Sequence, residues 1–416
     1  MNKKKEIVPK LRFPEFIGDK LKITKLGKIS SVVKEKAGEN KYTLMSVTSG
    51  VGLIPQTEKF GREIAGDSYK NYIVIRKYDF AYNKSATKQF PEGYISMLGE
   101  YDIAAVPNSI FTCFRITGNE SYPPFFDYLW HNNYHGHWLR KYIEVGARAH
   151  GALSVDTKHL WSMPLALPDF KEQQKIADCL SSIDELIDAE SRKLKALEKY
   201  KKGLMQKLFP AEGKTLPEWR FPEFQGCGEW KSKSIGKACK MFSGGTPDTS
   251  KKEFYGGTIP FIRSAEINKS STELFITEEG FKNSSAKMVK KGDILIALYG
   301  ANSGEVALSK IDGAINQAIL CLRHETNNVF VYHYFTHMKN WIISKYIQGG
   351  QGNLSGQNIK SVNLYFPKAE EQQNIADFLS EIDTMITGQS NKVEQLKAHK
   401  KGLMQGLFPS FEEADV

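Results

Sequence analysis

Three histidines fall within seven residues, His131, His135 and His137 of HNNYHGH, at a spacing from which imidazoles can share a metal ion. Aligning KYI at 141–143 with KYI at 345–347 puts Phe335, Lys339 and Trp341 at the corresponding places, so a packing or surface role is expected and no metal site is assigned. The glycine run GGQG (349–352) lacks the Lys-Ser/Thr of a phosphate loop, so no nucleotide and no other cofactor is expected. Five cysteines, Cys113, Cys179, Cys227, Cys239 and Cys321, are scattered and never form a C-x-x-C pair. Reduced thiols in a cytoplasm are expected, with neither disulfide framework nor structural zinc.

SYPPFF (121–126) is similar to the Asn/Asp-Pro-Pro-Tyr/Phe signature with which amino-methyltransferases orient a target amine. Tyr122 stands where the orienting acceptor belongs, and no glycine-rich cofactor loop follows a strand ahead of it, so no catalytic residue is assigned. The two prolines are expected to end a loop before a helix at Phe125.

The remaining chemistry is recognition. Base edges are read by Arg, Lys, Asn, Gln, Ser and Thr presented on loops. The candidates in the first half are Asn83, Lys84, Ser85, Lys88, Gln89 and Arg148; in the second half they are Gly244, Gly245, Thr246, Arg263, Ser264, Asn302, Ser303, Gln348 and Gln351. The net charge of +10 supports a polyanion partner, because of where it lies. Residues 169–210 carry nine Lys/Arg against eight Asp/Glu, and residues 368–409 carry five against six, so the positive excess sits elsewhere. The opening MNKKKEI leads into no apolar run, and no stretch approaches the roughly 18 apolar residues of a membrane span.

The elements that must position these residues are written twice. EQQKIADCLSSID begins at Glu172 and EQQNIADFLSEID begins 199 positions later at Glu371; over 172–210 and 371–409, 23 of 39 positions are identical. PKLRFPEF (9–16) and PEWRFPEF (217–224) precede the two halves. Within the first repeat, Ile176, Leu180, Ile183, Ile187, Leu194, Leu197, Leu204 and Leu208 follow a 4-3 spacing interrupted by Glu190 and Lys201. Its copy has Ile375, Leu379, Ile382, Ile386, Val393, Leu396, Leu403 and Leu407, interrupted by Gln389 and Lys400. Such a seam predicts two long helices packed on each other as an antiparallel coiled coil, with the polar positions fixing register. At about 1.5 Å per residue the rod is roughly 50 Å long, or about 15 base pairs of B-DNA.

The globular stretches between the helices contain short runs such as RKYDFAYNKS (76–85), Leu274 to Ile276, Ile294 to Leu298 and Ile315 to Leu322, broken by Gly, Asn and Ser. They are expected to be mixed α/β heads in a pseudo-two-fold tandem repeat. Each should end in an aromatic helix and a glycine-rich turn, KYIEVGARAHGALS (141–154) and KYIQGGQGNLS (345–355). The expected division is an N-terminal head over 1–168, a first long helix over 169–210, a second head over 211–367, a second long helix over 368–409 and an acidic tail over 410–416.

G-x-L-S, a short strand ending in Leu/Phe-Pro, and then E-Q-Q-x-I-A-x-x-L-x-x-I-D occur in order at 151–184 and again at 352–383. This doubled pattern resembles the specificity subunits of type I restriction–modification systems, and FSGGTPDTSKKEFYGGTIPFIRSAEIN (242–268) is similar to the start of a target-recognition domain of that family. The resemblance implies a non-catalytic, sequence-specific subunit that binds double-stranded DNA carrying a split target. Each head would read one half, and the helices would set the gap and dock two methyltransferase (modification) subunits. Nuclease/translocase (restriction) subunits would join that core, and no membrane is involved. The first head lacks the G-G-T-P loop, so its DNA-contacting positions transfer least. A protein-binding scaffold would instead show partner binding without DNA, and a self-sufficient enzyme would need motifs that the chain does not show.

Overall fold

The computed structural model describes residues 8–85, 87–88, 90–143, 156–346 and 353–409. The chain divides into two compact units, one formed by Met1–Glu190 with Lys392–Val416 and the other by Ser191–Asn391. Each unit therefore contains one head, the N-terminal part of one long helix and the C-terminal part of the other. The helices run over Phe170–Leu208 and Ala369–Leu407. Among the described residues, no helix is long and apolar enough to cross a membrane.

The first head contains β1 (Lys22–Lys25), β2 (Ser30–Val32), β3 (Met45–Thr48), β4 (Gly52–Pro55), β5 (Ile73–Arg76), β6 (Asp79–Asn83), β7 (Tyr94–Met97), β8 (Ile103–Val106), β9 (Phe111–Ile116) and β10 (Pro164–Leu167). The second contains β11 (Lys231–Ser234), β12 (Cys239–Ser243), β13 (Tyr255–Ile262), β14 (Phe275–Ile276), β15 (Lys287–Val289), β16 (Ile294–Ala297), β17 (Val306–Leu308), β18 (Gly313–Ile315), β19 (Ile319–His324) and β20 (Asn363–Phe366).

Despite unlike sequences, the two heads follow one course. The main sheets are β2-β9-β6-β7 and β12-β19-β16-β17, antiparallel throughout, and the strand entering each head pairs with the strand leaving it, β1 with β10 and β11 with β20. The second sheets also correspond. β13 pairs in parallel with β18, and the first head keeps that contact as a single parallel bridge between Leu44 and Ala105. β6 and β16 are buried on both faces, which explains their continuous apolar runs in place of alternation.

Two sequence expectations change here. Ile315 to Leu322 is two strands, β18 and β19, separated by Asn316 and a turn at Gln317 and Ala318. The prolines of SYPPFF do not end a loop; they begin the helix Pro123–His131, where a missing N–H costs nothing.

Each unit's core joins its head to both helices. In the first unit Phe80, Phe114, Phe126 and Trp130 cluster with Ile176, Leu180, Leu407 and Phe408. In the second, Ile294, Leu322, Phe330 and Tyr334 cluster with Leu208, Phe209, Ile375, Leu379 and Ile382. Full burial of a Leu such as Leu180 or Leu379 contributes about 1.5–3 kcal/mol.

Along the seam, Ile176, Leu180, Leu208, Ile375, Leu379, Ile382, Val393 and Leu407 are buried. Ile183, Ile187, Leu194, Leu197, Leu204, Ile386, Leu396 and Leu403 are half-buried, as expected where a two-helix seam leaves its flanks to solvent.

The charged seam positions, Glu190, Lys201 and Lys400, form ion pairs. In the first unit Lys400 Nζ lies 2.5 and 2.6 Å from the carboxylate oxygens of Asp184, and Lys392 Nζ lies 2.5 Å from Glu190 Oε1. Rising numbers on one helix meet falling numbers on the other, so the helices are antiparallel. In the second unit Lys201 Nζ lies 2.5 Å from Asp383 Oδ1, the same pair with the helices exchanged.

The RFPEF segments clip these helix ends together. Arg12 donates from Nε and Nη2 to Glu172 at 2.8 and 2.7 Å, and Arg220 donates likewise to Glu371 at 2.8 and 2.6 Å. One residue earlier, Leu11 N–H donates to Gly406 O and Trp219 N–H to Lys207 O, each at 2.9 Å. The next glutamine of each repeat turns back along its helix, Gln173 to Pro168 O at 2.9 Å and Gln372 to Pro367 O at 3.0 Å.

Candidate nucleic-acid interface

In the second head, strand direction alone gathers the candidates. Ser243 at the end of β12 sits opposite Leu320 near the start of β19, and Ala297 at the end of β16 sits opposite Ile319. The loops after β12 and β16 and the turn before β19 therefore leave one end of the sheet. β13 arrives there too, because it runs parallel to β18 with Ile262 opposite Ile315. Gly244, Gly245, Thr246, Arg263, Ser264, Asn302 and Ser303 consequently border a common edge, while Gln348 and Gln351 lie outside the described residues.

Their side chains differ in what they offer. Thr246 is exposed, and its hydroxyl donates to Gln317 Oε1 at 2.8 Å. Gly244 N–H donates to Asn316 O at 3.2 Å, and a Cβ on Gly244 would lie 1.7 Å from Ile315 O, so only glycine permits this close approach. Ser303 Oγ donates to Leu298 O at 2.9 Å and holds its own loop closed, while Asn302 is half-exposed.

Arg263 is not a free cation. It donates to Glu266 from Nε and Nη2 at 3.0 Å each and to Glu273 at 2.7 Å. The guanidinium holds the Glu266 carboxyl down at about 2, helped by the Thr272 hydroxyl and the Glu273 N–H. Arg263 thus braces the loop it was expected to read with.

Sequence reasoning missed Asn316 and Gln317 at the centre of this edge, and the exposed Tyr299 beside it. The signal was present: a polar Asn-Gln pair interrupting the apolar run from Ile315 to Leu322.

In the first head the corresponding loop follows β6, whose last residue, Asn83, faces Phe111 and Tyr94. Asn83 is buried; its Nδ2 lies 3.4 Å from Val47 O and its Oδ1 accepts from Ser85 N–H at 2.9 Å. It shapes the loop and does not point outward. Lys84 and Ser85 are half-buried and Lys88 is exposed, whereas Gln89 and Arg148 lie outside the described residues.

The three histidines do not converge. His131 stacks on Tyr94 and lies 3.7 Å from Asp127, and His137 is exposed. His135 is fully buried, with Nε2 3.3 Å from Gly93 O, and burial pushes its pKa down to about 4. Among the described residues, no group of three His, Cys, Asp or Glu side chains is placed to hold a metal ion.

At the opposite end of each main sheet the heads share an anchor. Asp79 accepts from Arg115 at 2.6 and 2.7 Å and from Arg76 N–H at 2.8 Å. Asp293 accepts from Arg323 Nε at 2.9 Å and Nη2 at 2.7 Å, and from Lys290 N–H at 2.7 Å. The scaffold is repeated, while the residues at the candidate edge are not.

Comparison with known proteins agrees with this duplication. A specificity subunit of the putative type I restriction enzyme MjaX of Methanocaldococcus jannaschii is 28% identical over 275 residues, 64% of this chain and 63% of that protein. The EcoR124I/EcoR124II specificity subunit of Escherichia coli is 30% identical over 169 residues, 38% of this chain and 42% of that protein. The matches thus span less than two thirds of these relatives. A solved S subunit of a type I restriction–modification system from M. genitalium has a similar fold, with a TM-score of 0.61 at 15% identity, covering 97% of this chain and all of that one. The model of the type I restriction modification DNA specificity domain matches twice, at residues 71–199 and 228–398, well over half of the chain, which therefore belongs to that family.

Proposed function

We propose that this chain is the specificity subunit of a type I restriction–modification complex, working on double-stranded DNA in the cytoplasm. Each head reads one half of a split target. In the second head the reading edge is formed by Thr246, Asn302 and Gln317, with Tyr299 beside them; in the first it is the loop carrying Lys84, Ser85 and Lys88. Gln89, Arg148, Gln348 and Gln351 complete the proposed set. Lysines elsewhere on the heads supply phosphate contacts that carry affinity without sequence information.

The paired helices set the gap between half-sites and dock two methyltransferase subunits, to which nuclease/translocase subunits are added. The subunit contributes recognition, and its partners contribute the chemistry. One observation carries this reading: two heads whose main sheets share one strand order present different residues at the same end of the sheet, and each is built onto the same duplicated helix pair.

The test is selection of duplexes from a randomised pool by the full chain, alone and with its methyltransferase subunit. Two blocks of fixed letters separated by a constant gap are expected, with affinity falling steeply as salt rises. Selection of a single uninterrupted block, or binding indifferent to both letters and salt, overturns the reading. Inserting four residues after Ser191 adds about 6 Å of helix and should lengthen the gap while leaving the letters unchanged.

A further inference from the structure

We infer that Glu92 is the positioning residue of the first head's reading loop, latching it to the helical segment at 123–142; this rests on the DNA-reading role proposed above. The loop leaves β6 at Asn83 and returns to β7 at Tyr94, carrying Lys84, Ser85 and Lys88 between. Its outgoing end is held by the Asn83 side chain on Val47 and Ser85.

Its returning end is held by Glu92, whose carboxylate is almost wholly buried. Arg140 donates to it from Nε at 2.6 Å and also from Nη2. Asn133 Nδ2 lies 3.5 Å from the other carboxylate oxygen.

The adjoining backbone is tied to the same segment. Tyr82 Oη donates to Glu92 O at 2.8 Å, and His135 Nε2 faces Gly93 O at 3.3 Å. Gly93 has φ +82°, and a Cβ there would lie 2.4 Å from Asn83 O, so the two ends of the loop touch through a residue that must be glycine.

With the Glu92 carboxylate buried and the Arg140 side chain largely exposed, the pair adds little to stability, yet it fixes an angle that an apolar contact leaves loose. Placed at the root of a base-reading loop, that angle decides which edge Lys84, Ser85 and Lys88 meet. The second head ties its corresponding loop to the helix Asn328–Tyr346, through Lys339 and Glu305 at 2.5 Å.

The experiment uses the full chain and the randomised-duplex selection, with Glu92→Gln, Arg140→Gln and, as the marker of the other head, Gln317→Ala. Both latch variants should lose about tenfold in discrimination against single-base changes in one block of letters and leave the other block intact. Gln317→Ala should blur the other block. Amide hydrogens of residues 84–90 should exchange faster in both latch variants.

Blurring of both blocks alike, of neither, or of the same block as Gln317→Ala overturns the inference. Should Glu92→Gln fail to fold, Arg140→Gln, which alters a largely exposed side chain, decides. Should the wild-type chain select no letters, the proposed function falls, and the exchange measurement still decides whether the latch holds the loop.

Discussion

Arg220 and Glu371, 151 residues apart in the chain, form a two-pronged ion pair at 2.8 and 2.6 Å, with both side chains at least nine-tenths buried. Removing one partner leaves the other charge buried and alone. Glu371→Ala is therefore expected to cost the second unit about 3–5 kcal/mol, and Glu172→Ala the same in the first. Arg220→Lys keeps the charge but loses the fork, so a smaller loss is expected. Urea unfolding checks this, and a loss below about 1 kcal/mol for Glu371→Ala would show that the clip is dispensable.

Gly244 and Thr246 are two residues apart, and their substitutions should differ in what they do to stability. A methyl on Gly244 collides with a backbone carbonyl that the β18 pairing holds in place, so Gly244→Ala should lower the melting temperature and abolish recognition by the second head. Thr246→Ala removes one exposed hydroxyl and should change stability by no more than about 0.5 kcal/mol while weakening DNA discrimination. Thermal melts paired with binding assays separate the two effects.

Tyr78 holds a left-handed backbone, φ +72°, at the turn into β6, where the second head has Gly292 at φ +89°. An L side chain in that region costs about 1–2 kcal/mol, partly offset by the entropy that glycine loses on folding. Tyr78→Gly should stabilise the first unit by about 0.5–1 kcal/mol. A lowered denaturation midpoint would mean that the exposed ring makes contacts outweighing the strain.

His333 is buried beneath the helices of the second unit, Nδ1 3.9 Å from Asp383 and near Lys201, and burial holds its pKa at about 3 instead of 6.5. Below pH 6.5 the unfolded ring takes a proton that the folded ring refuses until about pH 3. The neutral ring's contribution is thus whole above 6.5 and is lost as the pH falls toward 3, by at most about 1.4 kcal/mol per pH unit. His333→Leu should flatten the acid limb of the denaturation midpoint, and an unchanged limb would exclude this histidine as its source.

Much of the frame was legible in the amino-acid order. The seam from Ile176 to Leu208 and its copy are periodic, and the period alone specifies helices that need a partner. The polar interruptions at Lys201 and Lys400 were visible, but their partners Asp383 and Asp184 were not, because an antiparallel register pairs residues with no fixed spacing. Asn83 and Arg263 looked like readers by residue type, and burial and carboxylate partners turned both to construction.

The sequence by itself determined that the chain is doubled, that its helices pair and that its positive charge lies on the heads, since repetition, periodicity and charge are properties of residue order. Only the tertiary structure decided that the main sheets of both heads follow one strand order and that Thr246, Asn302 and Gln317 share an edge. The physical reason is that antiparallel sheets bring together loops far apart in the chain, and no local pattern of residue types encodes which strand ends meet.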